Sequence, residues 1–425
     1  MMLQKIKAGA LQLTMFIVIV IALLLLIFII LINTHKRFKI QTDFVLETIE
    51  NANKGVDYLL QNELRFNDTI RVNLQDEDYK ILNVHRDYWG IFEKVISTSK
   101  IKKNTFKKIA LLGAIQPIND RTALYLEEQN RPLVVVGNTK IQGLVYLPKQ
   151  GIRIGNISGH SYYGSQLIDG LTKTTCGLPE ILKQTLEQIK TIENNSDAIN
   201  SNQFLDLIKT RTHQNSFFNP MQVVYNFSAI NLSGVSLTGH ILVQSETEII
   251  VESSSNLKDV ILVAPTIEIM DQVKGTFQAI ASKEIKIGKH CVLGYPSAIV
   301  LKDDTKKLVA SSFQNDEDVQ ISIDDNSIVK GVVVFIGEVE LNNFKAQIVV
   351  EEQSIVEGEV YCNRNLELKG SVYGSVFTSS FVAKQSGSVY QNHIYNGRIL
   401  IDELPLEYVG LTFENSKKGV IKWLY

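Results

Sequence analysis

The sequence predicts a mainly β protein carried on a single N-terminal membrane-spanning helix, which continues as an amphipathic stem into a small α+β unit. A β-solenoid with a helical insertion follows. Three observations lead there: a charge-free apolar run near the N-terminus, a helical apolar period just after it, and a five-residue apolar-x-Gly-x-apolar pattern that recurs through the second half. The chain divides accordingly into a basic leader 1–9, a membrane helix 10–33, a stem 34–65, an α+β unit 66–136 and first solenoid-like strands 137–176. A helical insertion 177–220, solenoid repeats 221–400 and a C-terminal segment 401–425 complete it.

The membrane helix rests on length. No charged residue occurs from Ala8 to Ile32, and all eighteen positions from Met15 to Ile32 are apolar. At about 1.5 Å per residue this run covers most of a hydrocarbon core about 30 Å thick. A cleaved secretory signal has a shorter apolar region and a small-x-small site, which Asn33-Thr-His-Lys36-Arg37 does not offer. Lys5 and Lys7 flank one end and Lys36, Arg37 and Lys39 the other, so charge leaves the orientation open.

Beyond the anchor, Phe38, Val45, Ile49, Ala52, Val56 and Leu59 recur at helical steps, which extends the helix as a stem to about Leu64. Upstream, Lys5-Ile-Lys7-Ala-Gly9-Ala10-Leu-Gln-Leu-Thr14 is a short basic leader ending in glycine and running straight into the apolar stretch. That region resembles the processing site of type IV pilins and pseudopilins. The resemblance implies cleavage between Gly9 and Ala10, an amino terminus inside the cell and a body outside it. Thr14 stands where most of that family carries a glutamate. An ordinary uncleaved anchor with a helical stalk is the alternative.

Asp78–Val84, Lys108–Leu112 and Ala123–Leu126 read as strands of the α+β unit, the last paired with Leu133–Val136 as a hairpin across Glu127–Pro132. The repeat follows, as Ile141-Gln-Gly143-Leu-Val145, Leu237-Thr-Gly239-His-Ile241, Val273-Lys-Gly275-Thr-Phe277, Val329-Lys-Gly331-Val-Val333, Val356-Glu-Gly358-Glu-Val360 and Val372-Tyr-Gly374-Ser-Val376. Ser388-Val-Tyr-Gln-Asn392 is a degenerate seventh copy. Glycines at tight corners between short β-branched runs suit coils that stack their apolar residues on one another.

These coils, best between about Ser327 and Gln391, resemble bactofilins and related polymer-forming β-helix proteins. The wider spacings, 36 residues from Leu237 to Val273 and 56 from Val273 to Val329, imply loops or insertions. In the insertion, Leu182, Leu186, Ile189 and Ile192 share one face of a helix that starts at Pro179 and caps the solenoid or lies along its side, before an exposed loop at 194–202.

Composition narrows the chemistry. With 425 residues, 45% hydrophobic content, and 43 basic against 45 acidic residues, the chain can bury large cores and presents no net field for nucleic acid. Cys176, Cys291 and Cys362 lack metal-ligand spacing, and the latter two read as buried thiols. Asp303-Asp304, Asp316-Glu-Asp318 and Asp324-Asp325 read as solvated turns, and His160 and His240 as surface-turn histidines. The glycine-rich run Gly151–Gly164 lacks a phosphate-loop ending; its Tyr162 and Tyr163 are candidate sugar-stacking rings.

No catalytic residue, cofactor or metal is therefore expected. The leading expectation is a non-enzymatic structural or assembly protein of a bacterial inner membrane, with the bulk outside the cytoplasm as a minor pilin-like component. Its partners would be the lipid bilayer and other protein chains, or its own copies through stem and solenoid. The rivals are a bactofilin-like scaffold on the cytoplasmic face and a β-helix enzyme or lectin acting on envelope polysaccharide.

Overall fold

In a computed structural model, residues 8–74, 79–193, 201–303, 319–338 and 344–425 are described. The chain forms two compact units, the first from residues up to Leu59 with Thr69–His85 and Ile96–Lys108, the second from Leu60–Asp68, Arg86–Val95 and Ile109–Tyr425.

The first unit is organised by helix α1, Ala8–Gln61, which runs 54 residues without a break. At about 1.5 Å rise per residue it is about 80 Å long. Over Met15–Ile32 its large apolar side chains are 38–67% exposed, and none of the described residues covers this apolar surface. Packing begins only at the far end, where Thr48, Asn51, Ala52, Val56 and Leu59 are buried on one face. The expected stem stripe is thus half used: Phe38 is 70% exposed and Val45 44%. Gly55 sets the close approach, since a Cβ there would lie 2.1 Å from Ser97 Oγ and 3.0 Å from Leu82. A glycine inside a helix costs roughly 1 kcal/mol relative to alanine, and here it is the residue that leaves room for the strands. Lys80 pairs with Glu47, and Lys108 Nζ donates to Asn53 Oδ1 at 2.6 Å. The strand Thr69–Val72 lies antiparallel to Leu82–His85.

The second unit holds a parallel sheet of many strands whose β-branched residues stack in register. One inward row runs Val224, Val243, Leu262, Ala279, Ile299, Val333, Val360, Val376, Leu124 and Val145, each hydrogen-bonded neighbour on the next. A second runs Ile249, Ile267, Ile285, Ile321, Ile348 and Leu366. A third passes through Leu237, Leu257, Gly275, Leu293, Val329, Val356, Val372, Ile399 and Ile141. The apolar side chains of these rows meet in one core. Each contributes roughly 1.5–3 kcal/mol of burial, which no single strand could realise alone.

The order along the ladders is not the order along the chain. Thr122–Leu126 pairs in parallel with Val376–Thr378 on one side and with Leu144–Leu147 on the other, and Leu133–Val136 pairs in parallel with both His393–Tyr395 and Ile152–Ile154. The expected hairpin between 123 and 136 does not form; each strand instead pairs in parallel with a strand of the C-terminal region, Thr122–Leu126 with Val376–Thr378 and Leu133–Val136 with His393–Tyr395. The chain then crosses to the far side of the ladders, where Phe204 bridges to Val223, and works back toward residue 400. On the way it forms helix α2, Lys183–Glu193, with Ile189 and Ile192 buried. The segment before α2 lies along the side of the ladders: Ile181 bridges to Phe413, and Tyr361 Oη donates to the Pro179 carbonyl at 3.2 Å.

The irregular spacings also resolve. Between Leu237 and Gly275 lies a full coil, Asn256–Val263, in which Asp259 adopts φ 60° where a repeat copy would carry glycine. Between Gly275 and Val329 lies Val292–Lys302, followed by residues 304–318 outside the described ones. The degenerate copy is not a coil: Ser388–Gln391 folds back antiparallel on Val382–Gln385, and the next rung is Arg398–Leu400. Lys417–Leu424, unforeseen as a strand, pairs antiparallel with Ile109–Ile115.

Candidate functional site

At the N-terminus, Gly9 and Ala10 lie in the first turn of α1, with open space around Gly9. Lys5, Lys7 and the rest of residues 1–7 fall outside the described residues. Thr14 donates its hydroxyl to the Leu11 carbonyl at 2.9 Å, so the polar atom within the apolar run is satisfied by the helix itself.

Of the six repeat glycines, Gly331, Gly358 and Gly374 stand in register inside their strands with φ of 136°, 147° and 150°. A Cβ on Gly358 would meet the Gly331 carbonyl oxygen at 1.9 Å, and one on Gly374 the Gly358 carbonyl at 1.9 Å. Only glycine fits both the dihedral and the approach. Gly143 and Gly239 are also left-handed, at 121° and 92°. Gly275 differs, because its partners are Leu257 and Leu293, so it occupies the row of Val329 and not that of Gly331. A second set of left-handed bends falls on the polar residues Gln272, His290, Asn326 and Gln353, each two positions before a strand. Buried serines support them: Ser327 Oγ donates to the Gly288 carbonyl and Ser354 Oγ to that of Asp324, both at 2.6 Å.

Among the described residues the acidic candidates do not converge. Asp303 is buried and paired with Arg364 at 3.2 Å, a pairing a solvated-turn reading does not anticipate. Asp325 lies 3.4 Å from Lys289, and burial raises the pKa of Asp324. Asp304, Asp316 and Asp318 lie outside the described residues. Among the described residues no group of three or more His, Cys, Asp or Glu side chains is placed to hold a metal ion. A groove of about 140 Å³ is lined by Glu351, Glu352, Glu367, Lys369, Lys384 and Tyr395, among others. Lys369 lies 2.8 Å from Glu351 and 3.6 Å from Glu367. Burial opposes the lysine's charge, but the two carboxylates outweigh it and raise its pKa.

His240 is buried, with Trp89 and Phe217 at ring distances of 4.7 and 5.0 Å and its Nδ1 2.9 Å from the Asn219 carbonyl. Burial, with the nearby Lys94, lowers its pKa to about 4, so the surface-turn expectation fails for a residue clamped between aromatic rings. His160 is exposed, 3.2 Å from Tyr163 Oη; Tyr162 donates to the Gln166 carbonyl and Tyr163 is exposed. Cys291 and Cys362 are buried, the latter with its thiol pushed up to about 12 by burial, and Cys176 is exposed.

The most developed polar geometry was not visible in the sequence. Beside the first inward row runs an outward row containing Gln278, Val332, Glu359 and Ser375, all buried. Gln278 Nε2 donates to the Trp89 carbonyl and its Oε1 accepts from Ile91 N–H, both at 2.9 Å. Glu359 accepts from Leu411 N–H at 2.6 Å and Gln116 Nε2 at 2.9 Å. Nearby in the chain, Glu93 receives Arg86 at 2.7 Å and Lys418 at 2.9 Å, all three buried or nearly so. A second outward row stacks Tyr361, Phe377, Tyr125, Tyr146 and Lys173 on successive strands. Tyr125 and Tyr146 stack at 4.8 Å and the Lys173 ammonium lies over Tyr146, so the ring faces a sugar would use are occupied. The only signal for Glu359 was a pair of carboxylates, Glu357 and Glu359, breaking the apolar start of the strand between Ile355 and Cys362.

No protein-family model and no curated protein matches the chain. Among solved structures it is similar to the competence-associated pilin ComZ from Thermus thermophilus, at 9% identity over 85% of this chain and 86% of that one, with a TM-score of 0.19, a level that implies no shared fold.

Proposed function

We propose that this protein is a single-pass membrane-anchored structural or assembly component, in which α1 spans an inner membrane and the parallel strands wind as a β-solenoid body outside the cytoplasm. The observation that carries it is the exposed apolar surface of Met15–Ile32, continuous with a helical end that packs into its own unit. Water would charge that surface roughly 25 cal/mol per Å², and a bilayer removes the cost. Cleavage between Gly9 and Ala10, and minor pilin-like assembly through α1, belong to the same proposal.

Protease added to spheroplasts should digest the body and leave a membrane-bound N-terminal fragment, and mass spectrometry of the mature chain should find Ala10 at its amino terminus. A body protected until the cells are opened would move the protein to the cytoplasmic face. Even there, end-to-end solenoid filaments are disfavoured, because Leu167 and Ile168 near one terminal rung and Leu205 and Leu207 near the other pack against the core.

A further inference from the structure

The repeat glycines do more than turn the chain. Because Gly358 has no side chain, the Tyr408 phenol lies in the trough along the glycine row and donates to the Gly331 carbonyl at 2.8 Å; a Cβ at 358 would come within 2.7 Å of it. Tyr408 belongs to a strap, residues 404–413, laid across the outside of the ladders. Arg121 donates to the carbonyls of Leu404, Pro405 and Leu406, and Tyr295 Oη to that of Val409 at 2.8 Å. Gly410 exchanges backbone bonds with Ala114 at 2.8 and 3.0 Å. Glu359, 2% exposed, receives Leu411 N–H, and Gly410 has no room for a Cβ beside its carboxyl. The strap leads directly into the edge strand Lys417–Leu424.

We propose that Glu359 makes this strap a pH-sensitive clasp, closed when the carboxyl is protonated and loosened when it ionises, so that the C-terminal edge strand is held more firmly in acid than above neutrality. The titratable and charged groups around the carboxyl are Arg121, the phenols of Tyr295 and Tyr408, and, through Tyr408, Glu357, itself paired with Lys330 at 2.7 Å. Burial drives the Glu359 pKa up from 4.5 to about 7, against the pull of Leu411 N–H, Gln116 and Arg121. Burial raises both phenols as well, so neither charges in this range. A raised carboxyl binds its proton more tightly in the closed state than in the open one. Closure is therefore complete below 4.5 and weakens as pH rises toward about 7, by on the order of 10²-fold over the full span.

The test is amide hydrogen exchange on the full chain in detergent micelles, corrected for intrinsic rates. Protection of Leu411 and its strap neighbours should fall by on the order of 10–10²-fold from pH 5 to pH 8, and E359Q should hold it flat at the acid-side value. Protection that does not change with pH in the wild type, or a pH dependence that survives in E359Q, would overturn the proposal. Should E359Q not fold, a carbon-13 titration of the Glu359 carboxyl in the wild type decides: a midpoint near 7 supports the clasp and one near the ordinary carboxylate range removes it.

Discussion

Met15–Ile32 of α1 and the strands Ile328–Ile336 and Ile355–Leu368 draw on the same apolar stock of Val, Ile, Leu and Phe, yet in the folded chain one stretch is exposed and the others are sealed. Apolar content therefore does not decide burial. What decides it is whether the chain supplies a second surface at matching spacing. Val360 has Val333 on one neighbouring strand and Val376 on the other, repeated at a ladder spacing of about 4.8 Å. The helix presents its residues all round, and among the described residues none offers a face for them, which is the gap the proposed bilayer fills.

The contrast breaks most sharply where the inner surface is sealed. Val360→Asp places a carboxylate in the core row between Val333 and Val376, with no polar partner, and should cost more than about 4 kcal/mol. Urea unfolding of the full chain should lose its main transition or shift it far toward low denaturant. A shift below about 1 kcal/mol would mean the row is not a packed interior.

Glu93→Ala tests a sealed polar site against those apolar rows. Removing the shared acid leaves Arg86 and Lys418 buried and unpaired, for which about 3–5 kcal/mol is expected. The double variant Glu93→Leu with Arg86→Met should recover much of the loss, since two apolar groups leave less charge behind than one broken pair.

How much of this was legible follows from the same contrast. The rows of Val and Ile could be read because a period of two and a recurring glycine are local properties of the sequence. Coil Asn256–Val263 escaped because Asp259 adopts the left-handed bend that glycine takes elsewhere, and the pattern was keyed to glycine. The stacking of Thr122–Leu126 on Val376–Thr378 escaped for a different reason: any apolar β-branched strand satisfies the pattern, and only long-range contact chooses among them. Glu359 escaped because its role depends on a strap some fifty residues further on, and the Glu357 and Glu359 pair does not mark which acid will be buried; Tyr408 escaped because only long-range contact lays its phenol on the glycine row.

On the exposed side, Leu24→Asp should leave the unfolding of the body unchanged, because Leu24 touches nothing that packs. It should weaken membrane insertion by roughly 2.5–3.5 kcal/mol, the cost of an acid at a helix centre in the bilayer. Carbonate extraction separates the effects, with the variant leaving the membrane fraction while its urea transition stays put. A variant that stays in the membrane while the body unfolds earlier would reverse the assignment of surfaces.

The smallest effect falls where strand surface faces water. Lys286 lies 3.5 Å from Glu268 on the next strand, both partly exposed, while Ile285 and Ile287 on either side point into the core. Solvent screens such a pair, and holding two long side chains together costs entropy. Lys286→Ala should therefore change stability by less than about 0.5 kcal/mol, and less still at 1 M salt. A loss of 2 kcal/mol or more that survives high salt would show that the lysine stem covers core residues on that face, and the alternation of sealed and open positions along the strand Glu284–Ile287 would need to be redrawn.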